Sequence, residues 1–438
     1  MPPLRRGPSI ARLNPQETTY SHFRTHHLVP NTPCIFPPQL AQHWKLFDKW
    51  FTNEQELDWQ YLNEQYGSLR VECIDCRPDN DEQEEEGAIS TFGELLELWQ
   101  AAKGRTKYLK DWHLPLEIQR KAGSTEKGKE KLREELYQVE QVCLDDWMNE
   151  LEGSELEGKG DDFRFVYAGG RNTFTPLHRD VYCSYSVSTQ IYGTKLWYLF
   201  PPTCTPSLLP LITRANHEGS SINCDEWSDE EKADFERKGM IKVWQEPKET
   251  IFIPSGWYHS VHNLSHPTFS LNHNWLNSHS LPSIYSSLCE EVARCREAIS
   301  DVKILLIEKA RREGRAAEGE EAWKREWEQE VDGLVERSEG WSWRTFWRMI
   351  ANTLKSLEVS QGELESRFEN SRWPVIPAEA RPSSRYTLER LRPLLDDFRK
   401  RDEREWKWLD GLSVVLNEVD AEVARLSKRL GCNEHTEH

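Results

Sequence analysis

Apolar and polar positions change their period along this chain, and the change divides it. In Phe163-Arg164-Phe165-Val166-Tyr167 large apolar residues recur at every second position, the period of a strand. Gly169-Gly170-Arg171-Asn172 is turn chemistry. Residues 181–200 are β-branched and aromatic up to Pro201-Pro202, and 249–254 and 268–275 read as further strands. A charged helical pattern over 226–238 interrupts them. Short strands punctuated by Gly and Pro predict a β-sandwich or barrel. Upstream, Trp44, Phe47, Trp50, Phe51, Trp59 and Tyr61 predict helix and strand that pack on this core. Phe92, Leu95, Leu96, Leu98 and Trp99 have helical spacing, and 108–114 (YLKDWHL) is compact and aromatic. After about residue 281 the period becomes helical through Tyr285, Leu288, Val292, Ala298, Val302 and Leu305. It resumes through Trp341, Trp343, Phe346, Trp347, Ile350 and Leu354, and again over 388–430. The expected class is α+β. The expected division is a disordered arm over 1–30, a catalytic domain over 31–280, and a helical region over 281–438 carrying a charged insertion at about 308–339.

Composition narrows the function classes. Lys plus Arg total 56 and Asp plus Glu 74 in 438 residues, a formal net charge of −18. Such a chain is ill suited to gripping nucleic-acid phosphate or an anionic bilayer by bulk charge. It lacks the long apolar run of a transmembrane helix and the apolar stretch of a secretory leader. Ten scattered cysteines then read as free thiols in a reducing compartment, so a cytoplasmic location is expected, with nuclear presence compatible. Cys73 and Cys76 form a CxxC without two further zinc ligands nearby. The acidic run 79–86 and the Lys/Glu-rich 121–135 read as solvated insertions.

Candidate chemistry centres on His178-Arg179-Asp180, read as lying early in a strand, where positions i and i+2 share a face. His259, in Pro254-Ser255-Gly256-Trp257-Tyr258-His259, is the third candidate ligand. Two His and one carboxylate on one face of a metal form the facial triad of non-haem Fe(II) oxygenases, which leaves room for a chelating co-substrate and O2. Zinc is the rival, although a closed structural zinc site takes four protein ligands. An HxD pair is common by chance, and its neighbours give it weight. Lys195 lies 17 residues after His178 on a β-rich apolar segment, where an ammonium is costly to bury without an anion. A dicarboxylate co-substrate would supply that anion, and Thr175 could donate a hydroxyl to it. His262, His266 and His273 lie near His259. Strand parity sets His259 on a face with Val261 and Asn263 and turns His262 away.

Thr175-Pro176-Leu177-His178-Arg179-Asp180, Gly193-x-Lys195-x-Trp197 ending in Phe200-Pro201-Pro202, and Pro254-x-Gly256-Trp257-x-His259-x-Val261-x-Asn263 occur in order. Together they resemble the JmjC family of 2-oxoglutarate oxygenases. The resemblance runs from about residue 31 to 347, with gaps at the charged insertions. It implies a double-stranded β-helix, a jelly-roll of cupin-like form, with Fe(II) as cofactor and 2-oxoglutarate and O2 as co-substrates. Carried over, His178, Asp180 and His259 bind the metal, and Thr175 and Lys195 hold the distal carboxylate. Where many members carry Asn ten residues after the first ligand His, this sequence has Ser188; Asn272 or Asn274 on the last strand could compensate. Tyr167, Tyr182, Tyr185, Trp257 and Tyr258 are candidate walls or ordinary core. Residues 108–114, 163–169 (FRFVYAG) and 272–277 (NHNWLN) resemble one branch, whose members hydroxylate a lysyl side chain of the eukaryotic translation release factor. The resemblance therefore implies a protein lysyl hydroxylase with that factor as partner, no direct nucleic acid or membrane, and room for a homodimer through the C-terminal helices. Histone N-methyl-lysine demethylation is the alternative; no zinc reader array or basic segment accompanies it. A catalytically inactive scaffold is the third reading, opposed by the intact His178, Asp180, His259 and Lys195.

Overall fold

The computed structural model describes residues 9–76, 88–122, 136, 138–148, 163–313, 321–360, 362 and 380–431. Among them thirteen strands form two sheets. They are β1 (Ala11–Arg12), β2 (Cys34–Phe36), β3 (Arg70–Asp75), β4 (Ala88–Thr91), β5 (Lys107–Trp112), β6 (Arg164–Gly169), β7 (Phe174–Arg179), β8 (Tyr185–Tyr192), β9 (Lys195–Phe200), β10 (Ile241–Gln245), β11 (Thr250–Ile253), β12 (Tyr258–Asn263) and β13 (Thr268–Trp275). The large sheet runs β1-β2-β11-β8-β13-β6-β5-β3-β4 and the small one β10-β9-β12-β7. From β6 to β13 the chain crosses between sheets at every connection except β9 to β10. That alternation is the jelly-roll expected, with helices before and after it.

Local chemistry sets these elements. The β-rich stretch 181–200 divides into β8 and β9 at Gly193, whose φ is 78°. A Cβ there would lie 2.8 Å from Ser265 Cβ and 2.9 Å from the Pro267 carbonyl oxygen, so glycine alone makes this turn without displacement. The helix Phe92–Gln100 starts with a capping box between Thr91 and Glu94, and its Phe92, Leu95, Leu96 and Trp99 are buried. The helix Asp229–Arg237 occupies the charged stretch between β9 and β10.

Two expectations change. Residues 9–30 of the expected disordered arm are packed: β1 pairs in parallel with β2, and Phe23 lies against Phe36 and Phe252 with ring centroids 5.3 and 4.8 Å away. Tyr20, Phe23 and Leu28 carry enough apolar surface to dock the segment on the sheet. The charged insertion expected at about 308–339 is packed helix where it is described. It supplies the end of the helix Ser300–Arg312 and the helix Glu321–Glu339, whose Trp327, Val331 and Val335 are buried. A Glu/Lys/Arg-rich composition hid a narrow apolar stripe. The solvated insertions read at 79–86 and most of 121–135 lie outside the described residues.

The helices Leu281–Ala298, Trp343–Ser356, Ser384–Lys400 and Leu412–Arg429 complete the C-terminal region. Trp341, Trp343 and Trp347 point into its core. One apolar cluster joins these residues to Leu276, Tyr182 and Cys183 of the jelly-roll. Nine cysteines are described and all are free. No described helix is long and apolar enough to cross a membrane.

Trp347→Ala should lower the unfolding free energy by about 3–5 kcal/mol, the cost of an emptied aromatic site, as read from denaturant unfolding. Glu140 should make stability depend on pH. Burial pushes its carboxyl up to about 8, against a 2.5 Å hydrogen bond from Trp44 Nε1. An acid that holds its proton more tightly when folded stabilises fully below the unfolded pKa, and that contribution fades as pH rises to about 8. Glu140→Gln should therefore flatten the melting temperature between pH 5 and 8, within the window bounded by the ordinary and shifted values.

Candidate metal centre and its polar pocket

β12 lies between β7 and β9 in the small sheet. Its His259 sits opposite His178 of β7 and Leu199 of β9. The two imidazole centroids are 4.2 Å apart. His178 is the penultimate residue of β7, and Asp180 lies just past its end. The placement early in a strand, with Asp180 aligned by parity, is thus corrected: the turn swings the carboxylate inward. Ligand atoms of His178, Asp180 and His259 all lie within 4.8 Å of one another, and no other such cluster occurs among the described residues.

Each ligand is held from behind. The His178 Nδ1 is 2.8 Å from the Pro176 carbonyl and the His259 Nδ1 3.4 Å from that of Trp257, which leaves each Nε2 free to ligate. Burial lowers both imidazoles, His259 to about 4. Both are therefore neutral near pH 7, the form that binds a metal. Burial raises the Asp180 carboxyl, opposed by His178 and by a hydrogen bond from Asn274. Its Oδ2 is buried without a hydrogen-bond partner. A cation between two imidazoles and this oxygen would satisfy that atom, so the donor set fits a divalent metal with open positions.

The loop after Asp180 is strained and braced. Tyr182 and Cys183 have φ of 58° and 53°. Ser255 Oγ donates to the Cys183 carbonyl at 2.5 Å, and the Tyr182 ring packs tilted against Trp341, centroids 4.1 Å apart. Arg179 donates to Ser287 Oγ at 3.2 Å. The C-terminal helices thus brace the segment that carries Asp180.

Lys195 opens β9 and is 2% exposed. Its Nζ donates to Ser270 Oγ at 2.5 Å, and burial lowers its pKa to about 7. Ser270 and Ser188 both donate to Asn272 Oδ1, at 3.4 and 2.7 Å. Ser188 and Asn272 therefore occupy the same polar row as Lys195. Asn274 lies one step along β13, bonded to Ser184 Oγ at 3.1 Å and to Asp180, and serves the metal end. Thr175 is on β7, where its Oγ1 is 3.0 Å from Tyr108 Oη, with no direct bond to Lys195. The Tyr108 and Tyr167 rings are 6.3 Å apart, and Lys195 Nζ lies 5.8 Å from the centre of the Tyr167 ring. Trp257, buried, donates through Nε1 to the Asn31 carbonyl, while Tyr185 packs on Phe252 and Trp275. His262 stacks on Phe174 and His273 bonds Asp146. Ser270 and Tyr108 were missed by sequence reasoning. A serine on a strand carries no signal of its own, and Tyr108 becomes legible only once β5 is known to join β6.

Residues 20–280 match the model of the cupin-like domain. The chain belongs to the cupin-like domain family. Its cupin-like domain is similar to that of the 2-oxoglutarate and iron-dependent oxygenase JMJD4 of Mus musculus, 31% identical over 301 residues, 66% of this chain and 66% of the relative. The arginine-specific demethylase JMJ20 of Arabidopsis thaliana is 29% identical over 313 residues, 67% of this chain and 63% of that protein. The JmjC domain-containing protein 1 of Schizosaccharomyces pombe is 29% identical over 356 residues, 75% of this chain and 66% of the relative. The chain thus spans just under two thirds of the length of these curated relatives.

Lys195→Met should raise the melting temperature of the ligand-free protein, most of all below pH 7. A lysine whose folded pKa is lowered to about 7 stabilises fully only above its unfolded pKa, and loses that contribution as pH falls through 7. Added succinate should stabilise the wild type and leave Lys195→Met unchanged in the same melts.

Proposed function

We propose that this chain is an Fe(II)- and 2-oxoglutarate-dependent protein hydroxylase acting at a lysyl side-chain carbon, with a translation release factor as substrate. The observation that carries the reading is the placement, on paired strands of one small sheet, of the His178–Asp180–His259 cluster and a buried lysine set in a hydroxyl and amide row. In this reading His178, Asp180 and His259 hold the metal. The bound metal, with 2-oxoglutarate and O2, supplies oxidative decarboxylation to succinate and CO2 coupled to C–H hydroxylation. Lys195 pairs with the distal carboxylate of 2-oxoglutarate through a charge-assisted hydrogen bond. Thr175 offers its hydroxyl to the same end, while Ser188 and Asn272 orient the polar row around it. Asn274 steadies Asp180. Tyr108 and Tyr167 flank the polar row beside Thr175 and Lys195.

Relatives named as 2-oxoglutarate and iron-dependent oxygenases support the reaction class. The release factor comes from the branch resemblance. The net charge of −18 suits a basic protein surface, and the nine described cysteines, all free, suit a cytoplasmic site of action. A second reading, demethylation of a methylated arginine, is favoured by the relative bearing that activity in its name. It shares the oxidation step, because a hydroxylated N-methyl group collapses to formaldehyde.

Purified protein, Fe(II), 2-oxoglutarate and recombinant release factor, mixed without oxygen and then exposed to air, should yield a lysyl peptide heavier by one oxygen. His178→Ala should abolish that gain, and Asn274→Ala should weaken Fe(II) affinity by about 10–100-fold, the usual effect of removing a partner of a metal ligand. Loss of methyl from a methyl-arginine peptide would select the second reading. Absence of any 2-oxoglutarate consumption would overturn both.

A further inference from the structure

β5 pairs with β6 through Tyr108 and Leu109, opposite Gly169 and Ala168, and pairs again at Trp112, opposite Val166. Between these points Lys110 and Asp111 form a bulge. Bulges increase local twist, re-aim a side chain and concentrate beside active sites. Asp111 has a φ of 52°, a left-handed conformation that Asp and Asn tolerate better than other L residues. Its exposed carboxylate accepts a hydrogen bond from Tyr167 Oη. Tyr167 stands on the inner face of the large sheet, in register with Ser270, beside Lys195. Asp111 and Tyr167 both lie within the electrostatic field of Asp180. The bulge therefore sets an exposed acid on Tyr167, the ring that lies beside Lys195 and opposite Ser270. Among the described residues Tyr167 is its hydrogen-bond partner, and no Lys or Arg forms an ion pair with it.

We propose that Asp111 receives the cationic head of the substrate side chain, with Tyr167 holding the carboxylate in position. This deepens the oxygenase reading and rests on it for the identity of the reacting end. A lysyl ammonium and an arginine guanidinium share the required chemistry, since each loses water on entering the cavity and needs an anion in return. Anchoring the head also sets which carbon faces the metal, the orientation that hydroxylation at one position demands. Asp111 is a substrate-recognition residue.

The test uses the full chain loaded with Zn(II) and three small probes: the N-acetyl N-methylamides of lysine, arginine and norleucine, with binding read by saturation-transfer NMR. The wild type should prefer a cationic probe to norleucine, and which of the two cations binds more tightly distinguishes the lysyl from the arginyl source. Asp111→Asn keeps the left-handed backbone and still accepts from Tyr167. It should weaken the cationic probe by about ten- to a hundredfold, the range for losing a charged hydrogen-bond partner, and leave norleucine unchanged. Equal affinity for cationic and neutral probes in the wild type, or an unchanged preference in Asp111→Asn, would overturn the proposal. Should Asp111→Asn fail to take up Zn(II), Tyr167→Phe decides, because it leaves the bulge intact: a weakened cation preference supports the assignment and an unchanged one overturns it. An Asp111-dependent cation preference in a protein that consumes no 2-oxoglutarate would remove the hydroxylase reading and keep the cation site. Hydroxylation with an unchanged KM in Asp111→Asn would do the reverse.

Discussion

The antiparallel register between β7 and β12 is the constraint on which the site depends. It sets His178 across from His259, and a slip of one residue would turn one of them out of the cavity. The register is pinned from several directions. Ser260 Oγ donates to the Thr175 carbonyl at 3.0 Å, Asn263 Nδ2 to Thr173 Oγ1 at 2.7 Å, and the Asn263 amide to the Thr173 carbonyl at 3.0 Å. β9, on the other side of β12, pairs Lys195 with Asn263. The same strand that presents His259 therefore also sets the depth of the lysine. The His178–Asp180–His259 cluster and the buried Lys195 are two ends of one hydrogen-bonded ladder.

Such a cavity is costly to build empty. Two imidazoles, a carboxylate and an ammonium are withdrawn from water, and burial displaces each from its ordinary pKa. The polar row of Ser188, Ser270 and Asn272 offsets part of that cost, and a metal and an anion would offset more. Groups held against their solvation preference need firm surroundings. The C-terminal helices provide them: Trp341 packs on Tyr182, Ser287 bonds Arg179, and both contacts flank Asp180. The helical region is in this sense part of the site, although none of its described residues joins the His178–Asp180–His259 cluster.

His178, Asp180 and His259 were legible in the sequence because their motifs stand in a recognisable order, and Lys195 because an ammonium is out of place on an apolar strand. The route to Asp180 was not legible. Parity predicted two ligands on one strand face, yet the strand ends at Arg179 and a turn through left-handed Tyr182 aims the carboxylate. Ser188 and Asn272 were found as candidates, and only the β8–β13 register shows that they bond to each other while Asn274 turns to Asp180. The packing of 308–339 was not legible for a different reason: composition averages a helix face, and its buried Trp327, Val331 and Val335 are visible only against the helices they meet.

By itself the sequence determined the alternation of short strands, the helical C-terminal third, the acidic balance and the residue types able to bind a metal and an anion. These are properties of local period and side-chain chemistry, which a linear chain carries intact. The tertiary structure alone decided which strands neighbour one another, that residues 9–30 dock on the sheet, that Ser270 meets Lys195, and that a bulge in β5 brings Asp111 to Tyr167. Each of those joins residues far apart in the chain, and what selects them is the packing of two sheets around one cavity.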